Sequence, residues 1–484
     1  MDDTTADVGG TRRSLDLTDR RLLGRILCDD SATAGNGELL ARPDFEPDGF
    51  TVGERMAGTV FLDDAESDPE LWLRNALRAK VDAVLSPADG RAAAAATDFC
   101  LTQLLCLLTH RVQGVAVADS LWNQELPSVV DRVVAHCLRG DVEAPVITHR
   151  HYVEAAVPVA FSLLRRVLAA GQRDLRWLLS CSLVSGLIGA EMKLRTPELN
   201  VALPVDLGTA PARIAGQLWS RFQQLARRPF LVDHWDSFAA DTLNGKRHLV
   251  WFFDDYPETV FDLLFLARLA ELNPRMHLTL VPKSLPCYTD ADVSYLRRVI
   301  AHPTMRRAGV TTALSQAELC AVGPRMSTAN IRKLSPVLAR RLAKADCVFV
   351  KGTSIHEMFQ GGLAKPLYTG YVLTSEFNES SAGYDRTHAP TMLLRHGPGE
   401  YAHWGFEGRQ FRARSAADGR RISVCWSTLA EHLTRREQTD PARLRADRTF
   451  LDSLTHRVSA RSAHALAAEK RIVSERMDAI RNAY

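Results

Sequence analysis

HLVWFFDDYPETVFD, residues 248–262, is the stretch whose reading decides the fold. An apolar run, Leu249 to Phe253, ends abruptly in two adjacent carboxylates, Asp254 and Asp255. Pro257 and Glu258 follow, and then a helical pattern. Five consecutive apolar residues with no alternation read as a strand buried on both faces, as in a parallel sheet. The strand stops at its carboxyl edge and turns into a helix. In open α/β sheets that edge is where ligands bind. Two carboxylates about 4 Å apart repel by roughly 4 kcal/mol at an effective dielectric near 20. A cation between them relieves that cost, and hard divalent ions prefer oxygen ligands. The other reading is that Asp255 merely caps the helix, with Pro257 in the first turn.

Outward from this stretch, the texture of the chain changes. After about residue 245, short apolar runs alternate with helical stretches. The runs are Leu249–Phe253, Met276–Val281, Gly309–Leu314, Asp346–Val350 and Thr391–Leu394. The helical stretches are Glu258–Leu272, Asp290–Ile300, Asn330–Ala345 and His356–Gly361. Such alternation predicts an α/β fold with a parallel, doubly wound sheet. Before residue 240 the spacing is helical, at Leu71–Leu85, Ala93–Val112, Leu126–Leu138, Tyr152–Ala170 and Leu175–Leu194. The organisation expected is an N-terminal arm (1–50), an all-helical domain (51–240), an α/β metal-binding domain (241–425) and a C-terminal helical tail (426–484).

Two further strand ends belong beside the first. VPKSLPCYTDAD, residues 281–292, follows the second run and carries Asp290, which reads either as an oxygen ligand or, with Thr289, as a helix cap. ADCVFVKGTSIHE, residues 345–357, runs a strand into Lys351 and Gly352, with Thr353 and Ser354 opening a helix. Ser354 and Glu357 fit a capping box. The same geometry, with free amides, a glycine and an adjacent lysine, fits an anion site. The spacing is not that of a Walker loop, and neither GxGxxG after a strand nor GxSxG is present.

Composition narrows the function classes. The 484 residues are 46% hydrophobic and 24% charged, with a net charge of +3 and no basic block. These values suit a soluble protein of two to three domains and give no reason to expect nucleic acid or a membrane as partner. The reading expects no apolar run near the roughly 20 residues that span a bilayer. The acidic start MDDTTADVGG has no apolar signal core. The nine cysteines are scattered without paired spacing, which reads as reduced thiols in the cytoplasm.

The order and spacing of FFDDYPETVFDL, KSLPCYTDAD, KADCVFVKGTSIHE and TMLLR resemble the metal-dependent damage-control phosphatase family, once catalogued as domain of unknown function 89, which includes the acidic-residue methyltransferase-like proteins. The resemblance spans roughly residues 245–410. It implies a helical domain joined to a three-layer α/β/α, Rossmann-like domain. It implies a divalent ion such as manganese, nickel, cobalt or magnesium, and hydrolysis of a small phosphorylated metabolite; iron would go with an oxidative alternative. By position, Asp254, Asp255 and Asp290 look like the metal ligands, and Lys351 like the phosphate-contacting lysine. Asp254 and Lys351 would be catalytic, and Lys351, Gly352, Thr353 and Ser354 would hold substrate, with Glu258 and Arg395 at motif positions. The chain departs from the pattern at Asp255 (asparagine in the family), Thr289 (asparagine), Pro257 (glycine) and Ile355 (asparagine). These departures describe a divergent member. They leave open a metalloenzyme of different chemistry (transfer, elimination or oxidation) and a non-catalytic, ligand- or partner-binding member. They set no oligomeric state.

Overall fold

The computed structural model describes residues 12–27, 69–85, 90–112, 115–121, 126–142, 150–172, 174–186, 188, 211–230, 232–244, 248–285, 290–323, 334–352, 365–372, 391–396, 403–407, 410–414 and 421–425. The fold is α/β, as the alternation of runs predicts. A seven-stranded sheet is built from β1 (Val232–Asp233), β2 (His248–Phe252), β3 (His277–Val281), β4 (Glu318–Leu319), β5 (Cys347–Lys351), β6 (Leu367–Val372) and β7 (Thr391–His396). Its order is β1-β7-β6-β5-β2-β3-β4. Strands β6, β5, β2, β3 and β4 run parallel, while β7 pairs antiparallel to β6 and so turns the far edge around. A separate three-stranded antiparallel sheet covers His403–Glu407, Gln410–Arg414 and Arg421–Cys425.

Strand β2 is buried at all five positions, and its side chains divide between two cores. Leu249, Trp251 and Phe253 face a large core shared with the helices Arg150–Ala169, Leu175–Val184, Pro211–Ala226 and Tyr256–Leu272. Val250 and Phe252 face a smaller one, closed by Leu338, Ala339 and Leu342 of the Pro336–Lys344 helix. Successive strand residues point to opposite faces, so an unbroken apolar strand requires both to be covered. The indole of Trp251 stacks on Phe349 of β5 at 4.0 Å between ring centroids. The Tyr256–Leu272 helix lies between sheet and outer helices and is buried almost all round, including Glu258 and Asp262.

A third core holds Leu15 and the helices Arg20–Leu27, Pro69–Val84, Gly90–Thr109 and Leu126–Arg139. Contrary to the reading of the apolar runs, one helix among the described residues is long and apolar enough to cross a membrane: Gly90–Thr109. Its residues Ala96, Cys100, Leu104, Leu107 and Leu108 are fully buried against the neighbouring helices, and a core helix meets the same length and hydropathy test.

Two local readings change. The β-branched residues of Gly309–Leu314 suggest a strand, but Val310–Ala313 is a helical turn. Gly309, at φ +78°, places the preceding turn and this one back to back. The helix expected from Asp290 starts at Val293, because Asp292 is its N-cap. The expected helix at 356–361 and the tail after 426 lie outside the described residues, as do residues 28–68 of the arm and helical half.

Candidate metal centre

The first two rim carboxylates are placed by the end of β2. The backbone leaves the sheet at Asp254 and enters the Tyr256–Leu272 helix at Asp255, which has φ −64° and ψ 150° and is followed by Pro257 in the first turn. Asp255 occupies the cap position, yet its side chain makes no capping hydrogen bond. Asp290 arrives from the next crossover. Its backbone forms an antiparallel bridge with Asp255, and the Ala291 N–H donates to the Asp254 carbonyl at 2.7 Å. Asp290 is likewise released from capping, because the carboxylate of Asp292 accepts from Ser294 N–H at 2.7 Å and Tyr295 N–H at 3.1 Å.

Asp254, Asp255 and Asp290 are all partly buried and offer ligand oxygens that lie within 4.8 Å of one another. Oxygens bound to one divalent ion at about 2.0–2.6 Å are separated by no more than about 4–5 Å, so the spacing fits a hard cation. At an effective dielectric of 20, each such pair repels by about 3–4 kcal/mol. Burial pushes the Asp254 carboxyl well above the usual range, and Asp290, Asp255 and Glu258 push it further, opposed by Lys283. A proton, a neighbouring ammonium or a metal ion each relieves such crowding of carboxylates.

Space above Asp254 depends on Gly352. It follows β5 at φ +79°, and a Cβ built there falls 1.9 Å from Asp254 Oδ2. The residue next to it, Lys351, is fully buried beneath the rim. Its ammonium donates to Glu258 Oε2 at 2.7 Å and to the carbonyl and hydroxyl of Ser182 at 2.9 and 3.2 Å, and it forms an ion pair with Asp262 Oδ1 at 3.3 Å. The Ser182 hydroxyl donates in turn to Asp262. Ser182 lies in the last turn of the Leu175–Val184 helix, the negative end of the helix dipole, which favours a cation; its carbonyl also accepts from the Ser185 hydroxyl. Burial raises the carboxyls of Glu258 and Asp262, opposed in both by Lys351. For Lys351, burial works against its charge, but Asp262 and Glu258 outweigh it and raise its pKa.

Sequence reading thus finds Asp254, Asp255 and Asp290, which the fold brings together, and Glu258 and Lys351, which it stacks directly below. It misses Lys283, whose ammonium reaches Asp290 Oδ2 at 3.3 Å. It also misses Asp262 and Ser182. The spacing from Glu258 to Asp262, one turn along the same helix, is the signal that was present for Asp262. Arg395 stands apart. Its strand register sets it opposite Tyr368, which is level with Phe349 rather than with the rim. Its guanidinium faces Asp241 at 3.7 Å, and its N–H donates to His234 Nδ1 at 2.7 Å. Thr353, Ser354, Thr289 and Ile355 lie outside the described residues.

The search of curated proteins found no match. Among solved structures, the chain is similar to a DUF89 family protein from Pyrococcus horikoshii, at 12% sequence identity and a TM-score of 0.47. That likeness covers 68% of this chain and 97% of the other. Residues 205–370, the segment that supplies Asp254, Asp255 and Asp290 as well as Glu258, Asp262, Lys283 and Lys351, match the family model described as the damage-control phosphatase ARMT1-like domain.

Proposed function

We propose that the chain is a divalent-metal-dependent hydrolase of the phosphatase type, acting on a small phosphorylated metabolite. The observation that carries this reading is the convergence of Asp254, Asp255 and Asp290 at the carboxyl rim of the sheet, within a segment matching the ARMT1-like domain. These three residues hold the ion, which is manganese, nickel, cobalt, magnesium or iron. When bound, the ion polarises a phosphoryl oxygen and acidifies a coordinated water.

The chain's own residues do the rest. Gly352 keeps the Asp254 carboxylate accessible, since any side chain there would occupy the same space. Lys351 acts from below. Its contacts go to Glu258, Asp262 and Ser182, so it fixes Glu258 under the rim and keeps the floor of the site charged and rigid. Gly352 ends the described part of this segment; the sequence expectation that Thr353 and Ser354 take the phosphate falls on residues beyond it. Arg395, level with Tyr368, is left out of the site.

A screen of phosphorylated sugars and related metabolites, run with each metal in turn, tests the reading. Phosphate release that needs a metal and disappears in Asp254→Asn supports it. A folded protein that binds a metal yet turns over none of these esters rejects phosphatase chemistry.

A further inference from the structure

Seven charged groups gather at and below the rim, and they divide into two sets. In the lower set, Lys351 meets Glu258 and Asp262. In the upper set, Asp254, Asp255 and Asp290 have Lys283 as their ammonium, at 3.3 Å from Asp290 Oδ2. Lys283 follows β3 after a single proline, and its side chain is only 2% exposed. Its backbone is tied to the segment that bears Asp290: Lys283 N–H donates to Ala291 O at 2.9 Å, and Val293 N–H donates to Lys283 O at 3.2 Å. The ammonium is therefore delivered to the acidic cluster by two hydrogen bonds of the main chain, and it cannot swing into solvent without breaking that packing.

A buried lysine is costly unless a charge of opposite sign compensates it. Here the compensating group is itself one of the three oxygens fit to hold an ion. An ammonium and a divalent ion both attract the Asp290 carboxylate and repel each other. We propose that Lys283 is the resident cation of this centre: its ammonium holds Asp290 in the metal-free protein, and a divalent ion binds by displacing that contact. This inference rests on the metal-centre reading above and deepens it. Lys283 is a positioning residue, and it sets the affinity for the ion below what three carboxylates alone would give. Its removal would leave those carboxylates mutually repelling until a metal arrives.

The experiment compares full-length wild type with Lys283→Met and Lys283→Gln, using Mn²⁺ alone as probe. Binding is read by calorimetry, and the melting temperature is read in chelator and in Mn²⁺. The expected results are a roughly tenfold gain in Mn²⁺ affinity in both variants, a lower melting temperature in chelator, and a larger rise on adding Mn²⁺ than wild type shows. Should Lys283→Met fold only when Mn²⁺ is present, that dependence is the same result in its extreme form; should it not fold at all, Lys283→Gln carries the titration. Equal or weaker Mn²⁺ affinity in the variants, with a loss of stability that Mn²⁺ does not repair, overturns the inference and leaves the metal centre standing. Wild type that binds no Mn²⁺ beside variants that do would sink the hydrolase reading and keep Lys283 as the occupant of the site. Silence in all three proteins removes both.

Discussion

Gly352 and the Asp254 carboxylate are in contact so close that a single methyl group would collide: a Cβ at position 352 lies 1.9 Å from Oδ2 and 2.2 Å from Cγ of Asp254. The backbone there has φ +79°, a region in which only glycine is unstrained. Gly352→Ala should therefore act twice. The backbone strain alone costs roughly 1–2 kcal/mol. Displacement of Asp254 should lower Mn²⁺ affinity at least tenfold, which a calorimetric titration of the folded variant would measure. Wild-type affinity in this variant would mean that Asp254 does not need its place beside Gly352.

Lys351 is a buried structural cation. Four acceptors surround its ammonium, two of them buried carboxylates. Lys351→Met should cost about 3–5 kcal/mol in urea denaturation, since it strands Glu258 and Asp262 as uncompensated buried charges. Adding Glu258→Gln and Asp262→Asn should return part of that loss. A cost below about 1 kcal/mol for the single substitution would show that the buried charges rely on other partners.

The amino end of the sheet should add a pH-dependent contribution to stability. His248, at the amino end of β2, bonds the Thr279 hydroxyl through Nε2 at 2.9 Å and stands edge-on to His277. Burial, and then His277, lower its pKa from 6.5 to about 4. The unfolded chain therefore takes up this proton first as pH falls. The stability is complete above about pH 6.5 and declines toward pH 4, by at most roughly 3 kcal/mol for this group. His248→Gln should flatten the melting temperature of the protein between pH 4 and 6.5 relative to wild type. A slope unchanged by the substitution would assign the acid limb to other groups.

Much of this was legible in the sequence because the informative signals were local. An apolar run that ends in two aspartates marks a buried strand and its rim, and β2, β3, β5 and β7 all stand within a residue or two of the apolar runs that predict them. Asp254 and Asp255 were readable because they end such a run, and Asp290 because its segment lies beyond the next one, in the order the motifs share. Strand β6, LYTGYV, was not, since Gly370 interrupts its β-forming residues. The structure gives the reason for that glycine: a Cβ there would lie 2.7 Å from Leu183 Cδ2 and from Phe349 Cζ. Lys283, Asp262 and Ser182 were hidden for a different reason. A lysine in a polar loop, an acid on a helix and a serine in an apolar helix look alike whether they face water or a buried charge. For Asp262 and Ser182, only the long-range packing of the Leu175–Val184 helix onto Tyr256–Leu272 tells the two apart; for Lys283, it is the pairing of its backbone with Ala291 and Val293. Capping is the remaining ambiguity, and it too was settled by three-dimensional detail: Asp292, two residues beyond Asp290, takes the helix N–H groups.

The proposed chemistry needs one ion at one place. Crystals of the full chain grown with Mn²⁺, with data collected near the manganese absorption edge, would locate it by anomalous scattering. The expected map has one strong peak at about 2.0–2.6 Å from carboxylate oxygens of Asp254, Asp255 and Asp290. A map with no peak there, or with its peak bound elsewhere on the molecule, would contradict the central claim.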